Sequence, residues 1–347
     1  MIYFPPMLGV IAGRVTAAAA LVAAVVALSA GSAVAAPPPA TTPPATPPAP
    51  ATGPTFAKLT LSVPDAFQVD HELVTVPKRV VHIHGVVRPY VAGQWVLVRA
   101  SVDGKQFKTD HLQIRPAPGA KTGEFTEVLS SPKAGVVTVQ VGHTRNAQLG
   151  GLLGSRRFTA LDENVGFGAH GLFVSLIQQR LAALHFYIPQ TGVYDTGTGL
   201  AIDAYHRLMR WGTYQTLDGR TISYLLDGFG QFKLHFPGNG RHAEGDLTLQ
   251  LLALADGKNV VAIYPISSGK PSTPTILGNF RVYSRVPGYL PDGMYYSNFF
   301  FSGYAIHGYN PAPDYPASHG CMRLPIVDAI SAFNWLGIGD WVDVYYQ

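Results

Sequence analysis

From Thr55 to about Asp162, apolar and polar residues alternate with a period of two. Leu59, Leu61 and Val63 form one row, Val81 and Ile83 a second, Val96 and Val98 a third, and Val137, Val139 and Val141 a fourth. Turn formers, Pro77-Lys78 and Asp103-Gly104 among them, separate the rows. Short strands at this spacing predict a small β-sandwich over residues 55–162. Between about Val165 and Gly230 the period changes. Val174, Ile177, Leu181 and Leu184 recur at steps of three, four and three, which is one face of a helix. Thr198 is placed to cap a second helix with Ala201, Tyr205 and Leu208 facing inward, and Thr221 to cap a third around Leu225. From about Arg241 the period of two returns. Leu247, Leu249 and Leu251 alternate, Val260–Ile266 is a further β-rich run, and Asp256-Gly257 between them reads as a hairpin turn. Phe280-Arg281-Val282-Tyr283 predicts another strand. Pro325 opens a helix through Ile326, Ile330 and Phe333, with Pro in the first turn where no N–H is needed. Trp341, Val342 and Val344 make a closing strand. The expected fold is multidomain: a β-sandwich, a small three-helix unit at 165–230 and a mostly-β segment at 241–347.

Ahead of these elements the pattern is different. Residues 36–54 are almost entirely Pro, Ala and Thr, which form an extended, semi-rigid tether rather than a core. Before them, Arg14 precedes the uncharged Ala/Val/Leu stretch Val15–Ala30, followed by the small-residue site Ala33-Val34-Ala35. That order is an export signal over residues 1–35. If uncleaved, the uncharged run Val15–Ala36, about 22 residues, is long enough to serve as a membrane tether. The folded part is expected outside the cytoplasm, at the cell envelope.

Composition narrows the partners. The chain carries a formal net charge of +4 and 13% charged residues, with no dense Lys/Arg run, so a nucleic-acid partner is not expected. His82 and His84 share one face of a strand, but with no third ligand nearby they read as ordinary strand histidines. There is one cysteine, Cys321, so the chain has no internal disulfide. A lone thiol in an oxidising compartment invites damage unless it has a task.

Its neighbours supply one. Tyr304-Ala305-Ile306-His307-Gly308 is followed by a loop with Pro311, Pro313 and Pro316, then by Ala317-Ser318-His319-Gly320-Cys321-Met322-Arg323. A thiol near pKa 8.5 is mostly protonated at neutral pH and needs a base beside it. A histidine can take that proton and later give it to a leaving amine. His307 follows a strand-like run. Gly308 would let the backbone bend so that a carbonyl accepts the second imidazole N–H. Gly320 lets the backbone reach Cys321, and the amides of Gly320 and Cys321 are candidate oxyanion donors. His307, His319 and Cys321 are also zinc-ligand types, so a zinc site is the rival reading of the same residues.

The segment closely resembles the L,D-transpeptidase (YkuD-type) catalytic domain. That family carries His-Gly or His-Ser, a loop, then Ser/Thr-His-Gly-Cys-x-Asn/Arg, matched by His307-Gly308 and Ser318–Arg323. Its lead-in, Ser-x-Gly and then Thr-Pro-x-Gly-x-Phe, aligns with Ser267-Ser268-Gly269 and Thr275–Phe280, Ile276 replacing the proline. The resemblance implies Cys321 as nucleophile and His307 as acid/base, with no cofactor and no metal. It implies support from Ser318, His319, Gly320 and Gly308, and Arg323 as a substrate-carboxylate contact or a salt-bridge partner within the loop. The substrates it implies are peptidoglycan stem peptides, a tetrapeptide donor and a diamino-acid amine acceptor, joined as 3→3 cross-links; carbapenems would acylate the same thiol. The alternatives are an L,D-carboxypeptidase or endopeptidase using water, and a non-catalytic wall-binding protein. The helical unit resembles a peptidoglycan-binding module, through Leu176 to Gln178, Leu181, Gly192, Tyr194, Thr198, Ala201 and Tyr205, although Gln190-Thr191 stands where Asp-Gly is usual. The sandwich resembles an immunoglobulin-like module in pattern only, and its expected job is spacing.

Overall fold

Alternating β-branched residues and tight turns build the N-terminal part of the computed structural model, which describes residues 57–119, 121–145 and 149–347. The segments expected to be an export signal, 1–35, and a tether, 36–54, lie outside the described residues. The strands are β1 (Lys58–Ser62), β2 (Phe67–Val69), β3 (Glu72–Thr75), β4 (Val80–Arg88), β5 (Trp95–Val102), β6 (Lys105–Gln113), β7 (Arg115–Pro116), β8 (Gly123–Ser130), β9 (Gly135–His143) and β10 (Leu152–Ala160). They form two sheets, ordered β1-β4-β8-β7 and β2-β3-β10-β9-β5-β6. The predicted inward rows Val81/Ile83, Val96/Val98 and Val137/Val139/Val141 are all in the core between them. Asp103 (φ 49°) and Gly104 (φ 78°) turn β5 into β6, two positive φ values that match the twist of the paired strands.

Three helices follow: α1 (Leu172–Ala183), α2 (Thr196–Leu208) and α3 (Gly219–Leu226). The residues predicted on the buried face of the first, Val174, Ile177, Leu181 and Leu184, are all buried. The caps differ from the sequence reading. Asp195, not Thr198, caps α2 by accepting from the Thr198 N–H at 2.9 Å. Asp218, not Thr221, caps α3 by accepting from the Thr221 N–H at 2.7 Å. Each carboxylate meets the positive end of its helix and satisfies an orphan donor. The two threonines lie one turn in, with buried hydroxyls bonded to Gln178 and to His206.

The C-terminal part comprises β11 (Arg241–Asp246), β12 (Leu251–Asp256), β13 (Asn259–Pro265), β14 (Gly278–Arg281), β15 (Ser284–Tyr289), β16 (Tyr295–Phe301), β17 (Tyr304–Gly308), β18 (Met322–Leu324), α4 (Ile326–Trp335) and β19 (Trp341–Tyr345). One sheet runs β13-β12-β11-β19-β14, and the other β15-β16-β17-β18. Their shared core includes Leu252, Leu254, Tyr264, Phe300, Ile306, Met322, Leu324 and Val342. The opposite face of β12 and β13 presents Leu251, Ala253 and Ile263, which join the core of α1–α3. With both faces covered, β12 reads as an unbroken apolar run.

Three elements depart from the sequence reading. Leu247–Gln250 is a turn rather than strand, because the Asp246 carboxylate accepts from the Thr248 and Leu249 N–H groups at 2.9 and 3.0 Å. The Phe280–Tyr283 strand splits at Val282, whose backbone bonds to Asp340 and Gly339, as the chain passes from one sheet to the other. In α4, Pro325 is the residue before the helix, and Ile330 faces solvent while Ala329, Ala332 and Phe333 face inward.

Candidate active site

The site forms where β17 and β18 run side by side. They pair in parallel, with Ile306 opposite Met322, His307 opposite Arg323 and Gly308 opposite Leu324. Ile306, Met322 and Leu324 enter the core. Alternation therefore places His307 and Arg323 on the other face, with Cys321 two residues before Arg323 on that same side. The sulfur lies against the start of β17. It is 3.6 Å from the Gly303 carbonyl, and the Ala305 backbone N–H donates to it. His307 stands two residues further along that strand.

The imidazole is almost fully buried, and its Nδ1 lies 2.9 Å from the Gly308 carbonyl. A carbonyl can only accept, so Nδ1 carries the hydrogen and Nε2 keeps its lone pair. Burial pulls the ring's pKa down to about 4. The Gly308 carbonyl opposes this, the Arg323 guanidinium adds to it, and Asp292 opposes it weakly. The ring is thus a neutral base at neutral pH. Burial pushes the Cys321 thiol up, against the lowering effects of the Ala305 N–H and Arg323, with the Asp292 carboxylate adding to the rise. At rest the thiol and the imidazole are both uncharged.

The cysteine loop is tied to the lead-in predicted from sequence. Ser267 and Arg323 exchange backbone hydrogen bonds at 2.9 and 3.0 Å, and the Ser268 carbonyl accepts from Ala317 and Ser318 at 2.9 Å each. The Lys270 N–H and the Thr273 hydroxyl both donate to the Ser318 carbonyl at 3.0 Å. The Ser318 hydroxyl donates to the Cys321 carbonyl at 2.6 Å and accepts from the Gly320 N–H at 3.0 Å. Ser318 thus closes the turn that carries the thiol. The same bond corrects an expectation: the Gly320 amide is occupied and is not a free oxyanion donor here. Gly320 has φ +121°, and a Cβ there would lie 2.5 Å from the Tyr304 ring, so both conformation and space require glycine.

Gly308 is required for a different reason from the one expected. It continues β17 without a positive φ, and a Cβ would lie 2.6 Å from the Ala329 Cβ of α4. Close packing, not bending, fixes glycine there. Arg323 lies with its guanidinium carbon 4.0 Å from the centroid of the Tyr309 ring, and no salt bridge holds it among the described residues. Its buried Nε has no partner. His319 is exposed, with Nε2 3.3 Å from the Lys270 ammonium, so it does not brace the loop from within. Among the described residues no three His, Cys, Asp or Glu side chains converge as a metal site. The Ala305 N–H, Asp292, Tyr309 and Lys270 complete the surroundings. No motif marks them, although Tyr309 directly follows His307-Gly308.

Comparison with known proteins addresses this same segment. Residues 240–344 match the family model of the YkuD L,D-transpeptidase catalytic domain. No curated protein sequence matches the chain. Among solved structures, an L,D-transpeptidase from Xylanimonas cellulosilytica is 28% identical over 53% of this chain and 98% of that one, with a TM-score of 0.48. One from Stackebrandtia nassauensis is 19% identical over 52% of this chain and 95% of that one, with a TM-score of 0.34. The E. faecium L,D-transpeptidase catalytic domain acylated by ertapenem is 26% identical over 31% of this chain and 98% of that one, with a TM-score of 0.27. Residues 240–344, with His307 on β17 and Cys321 directly before the paired strand β18, are an L,D-transpeptidase catalytic domain of the YkuD family.

Proposed function

We propose that the protein forms 3→3 cross-links in peptidoglycan through a Cys321 thioester. The observation that carries this reading is the tautomer of His307. With Nδ1–H held by the Gly308 carbonyl, the Nε2 lone pair is available on the face that Cys321 shares. In the first half-reaction, Nε2 takes the thiol proton as Sγ attacks the carbonyl of the third, diamino-acid residue of a tetrapeptide stem. The tetrahedral intermediate collapses, the C–N bond breaks, and the imidazolium gives its proton to the departing D-Ala amine. A thioester remains. An amine on a second stem then attacks it, His307 takes a proton from that amine, and the released sulfur recovers it as the thiol. Arg323, whose guanidinium lies over the Tyr309 ring with no salt bridge among the described residues, would hold a substrate carboxylate.

The same proposal puts the folded part in the cell envelope, on the strength of Arg14, the apolar run after it and the tether. The helical segment would contribute affinity for the wall. Incubation with a defined disaccharide tetrapeptide and mass spectrometry of the products tests the reaction. Cross-linked dimers that disappear in Cys321→Ala are expected. Tripeptides alone would mean water is the acceptor, and no conversion would leave a wall-binding protein.

A further inference from the structure

We infer that Arg207, on α2, is a positioning residue for the Cys321 loop, so that the helical segment is part of the catalytic unit. The inference rests on Cys321 being the nucleophile. Arg207 leaves the helix and enters the C-terminal part, where only 7% of it is exposed. One guanidinium nitrogen donates to the Gln250 and Ile266 carbonyls at 3.0 and 2.9 Å. The other meets Asp203, one turn earlier on the helix, at 2.6 Å. Ile266 immediately precedes the lead-in Ser267-Ser268-Gly269. Gln250 reaches the same lead-in by its side chain, accepting from the Ser268 N–H at 2.9 Å and donating to the Ser268 hydroxyl at 2.7 Å. Ser268 in turn holds Ala317 and Ser318 through its carbonyl, and Ser318 closes the turn of Cys321. A continuous run of hydrogen bonds thus connects α2 with the nucleophile's backbone.

Two features indicate that this connection is kept for placement rather than for stability. A buried ion pair is weak evidence of stabilisation, and Arg207 also carries a buried Nε with no partner. Gln250, a non-glycine residue, is held at φ +54°, a conformation that costs free energy. The two unfavourable features adjoin each other on the same route. Burial raises the Asp203 carboxyl, Arg207 opposes the rise, and Asp314, from the loop between His307 and Ser318, adds to it.

The test is ertapenem acylation of the full chain, followed by intact mass as a function of time and concentration. It compares the parent with Arg207→Met, Arg207→Lys, Gln250→Asn and Cys321→Ser, with thermal unfolding of each variant. Met keeps the apolar stem without the donors. Lys keeps the charge and can reach a carbonyl. Asn tolerates positive φ but is one methylene too short to bridge to Ser268. The expected result is a kinact reduced about 10- to 100-fold in Arg207→Met and Gln250→Asn with KI unchanged, and partial recovery in Arg207→Lys. A rise in KI with kinact unchanged would make Arg207 a binding determinant and overturn the positioning role. If Arg207→Met does not fold, Gln250→Asn alone decides, since parental kinact in that folded variant overturns the route. An adduct surviving in Cys321→Ser removes the nucleophile reading, and this inference with it. Parental kinact in both route variants, with no adduct in Cys321→Ser, removes only the inference.

Discussion

At the scale of single residues, the governing fact is that His307 is buried and neutral. With its pKa near 4 and the Cys321 thiol raised by burial, an ion pair does not form in the resting enzyme. Proton transfer must accompany attack. Two probes should therefore respond differently to pH. Iodoacetamide reports the thiolate, so Cys321 alkylation should be slow at pH 7 and still rising above pH about 8.5. If His307 is the base, ertapenem acylation should be level from about pH 5.5 to 8 and fall on the acid side with a midpoint near 4. Alkylation that is fast and level between pH 5 and 8 would instead reveal a standing thiolate–imidazolium pair. These residues were legible in the sequence because His307-Gly308 and Ser318–Arg323 are short, contiguous motifs. Asp292 was not, since its relation to the thiol arises only when the β15–β16 hairpin is placed. The reason for Gly308 was misread because packing by α4 leaves no local trace.

At the scale of elements, α4 buttresses the site through Ala329 against Gly308, and it carries a buried carboxyl in its first turn. Asp328 is 3% exposed, and burial raises its pKa from 3.8 to about 7. Its folded value lies above the unfolded one, so the folded state keeps a proton that the unfolded chain releases between pH 3.8 and about 7. The fold loses stability as pH rises through that window. Asp328→Asn cannot ionise and escapes the loss. The stability difference between variant and parent should shift by about 3 kcal/mol in the variant's favour from pH 5 to pH 8, read by urea unfolding. A difference that stays constant would mean that the carboxyl ionises normally where it sits. The periodic elements were well read: the inward valines of the sandwich and the face of α1 lie where their spacing put them. The errors came from side chains competing with the pattern. Asp195 and Asp218 displaced the expected caps, and Asp246 turned an alternating leucine row into a turn. The strand β16, aromatic and bulged opposite His307, has no period to read.

At the scale of the molecule, the helical segment and the catalytic sheet share one core, in which Leu251, Ala253 and Ile263 pack with residues of α1–α3. In the sequence, every group of the proposed chemistry lies after residue 240, and nothing there signals this shared core. Which face of β12 each helix covers could not be read, as an apolar run does not say what lies on either side of it. The positions resembling a wall-binding module are informative here as well. Gln178, Thr198 and Tyr205 are wholly buried, and Gln178 bonds to Thr198 and Gly192, so these residues build the helical scaffold rather than its surface. The central claim is that one thiol, activated by one neutral histidine, carries the acyl group. Its most direct test is the intact mass of the full chain after exposure to ertapenem, compared among the parent, Cys321→Ser and His307→Gln. The account predicts one adduct on the parent, none on Cys321→Ser, and on His307→Gln an adduct that forms about 10²- to 10⁴-fold more slowly. An adduct on Cys321→Ser, or parental speed in His307→Gln, would contradict it.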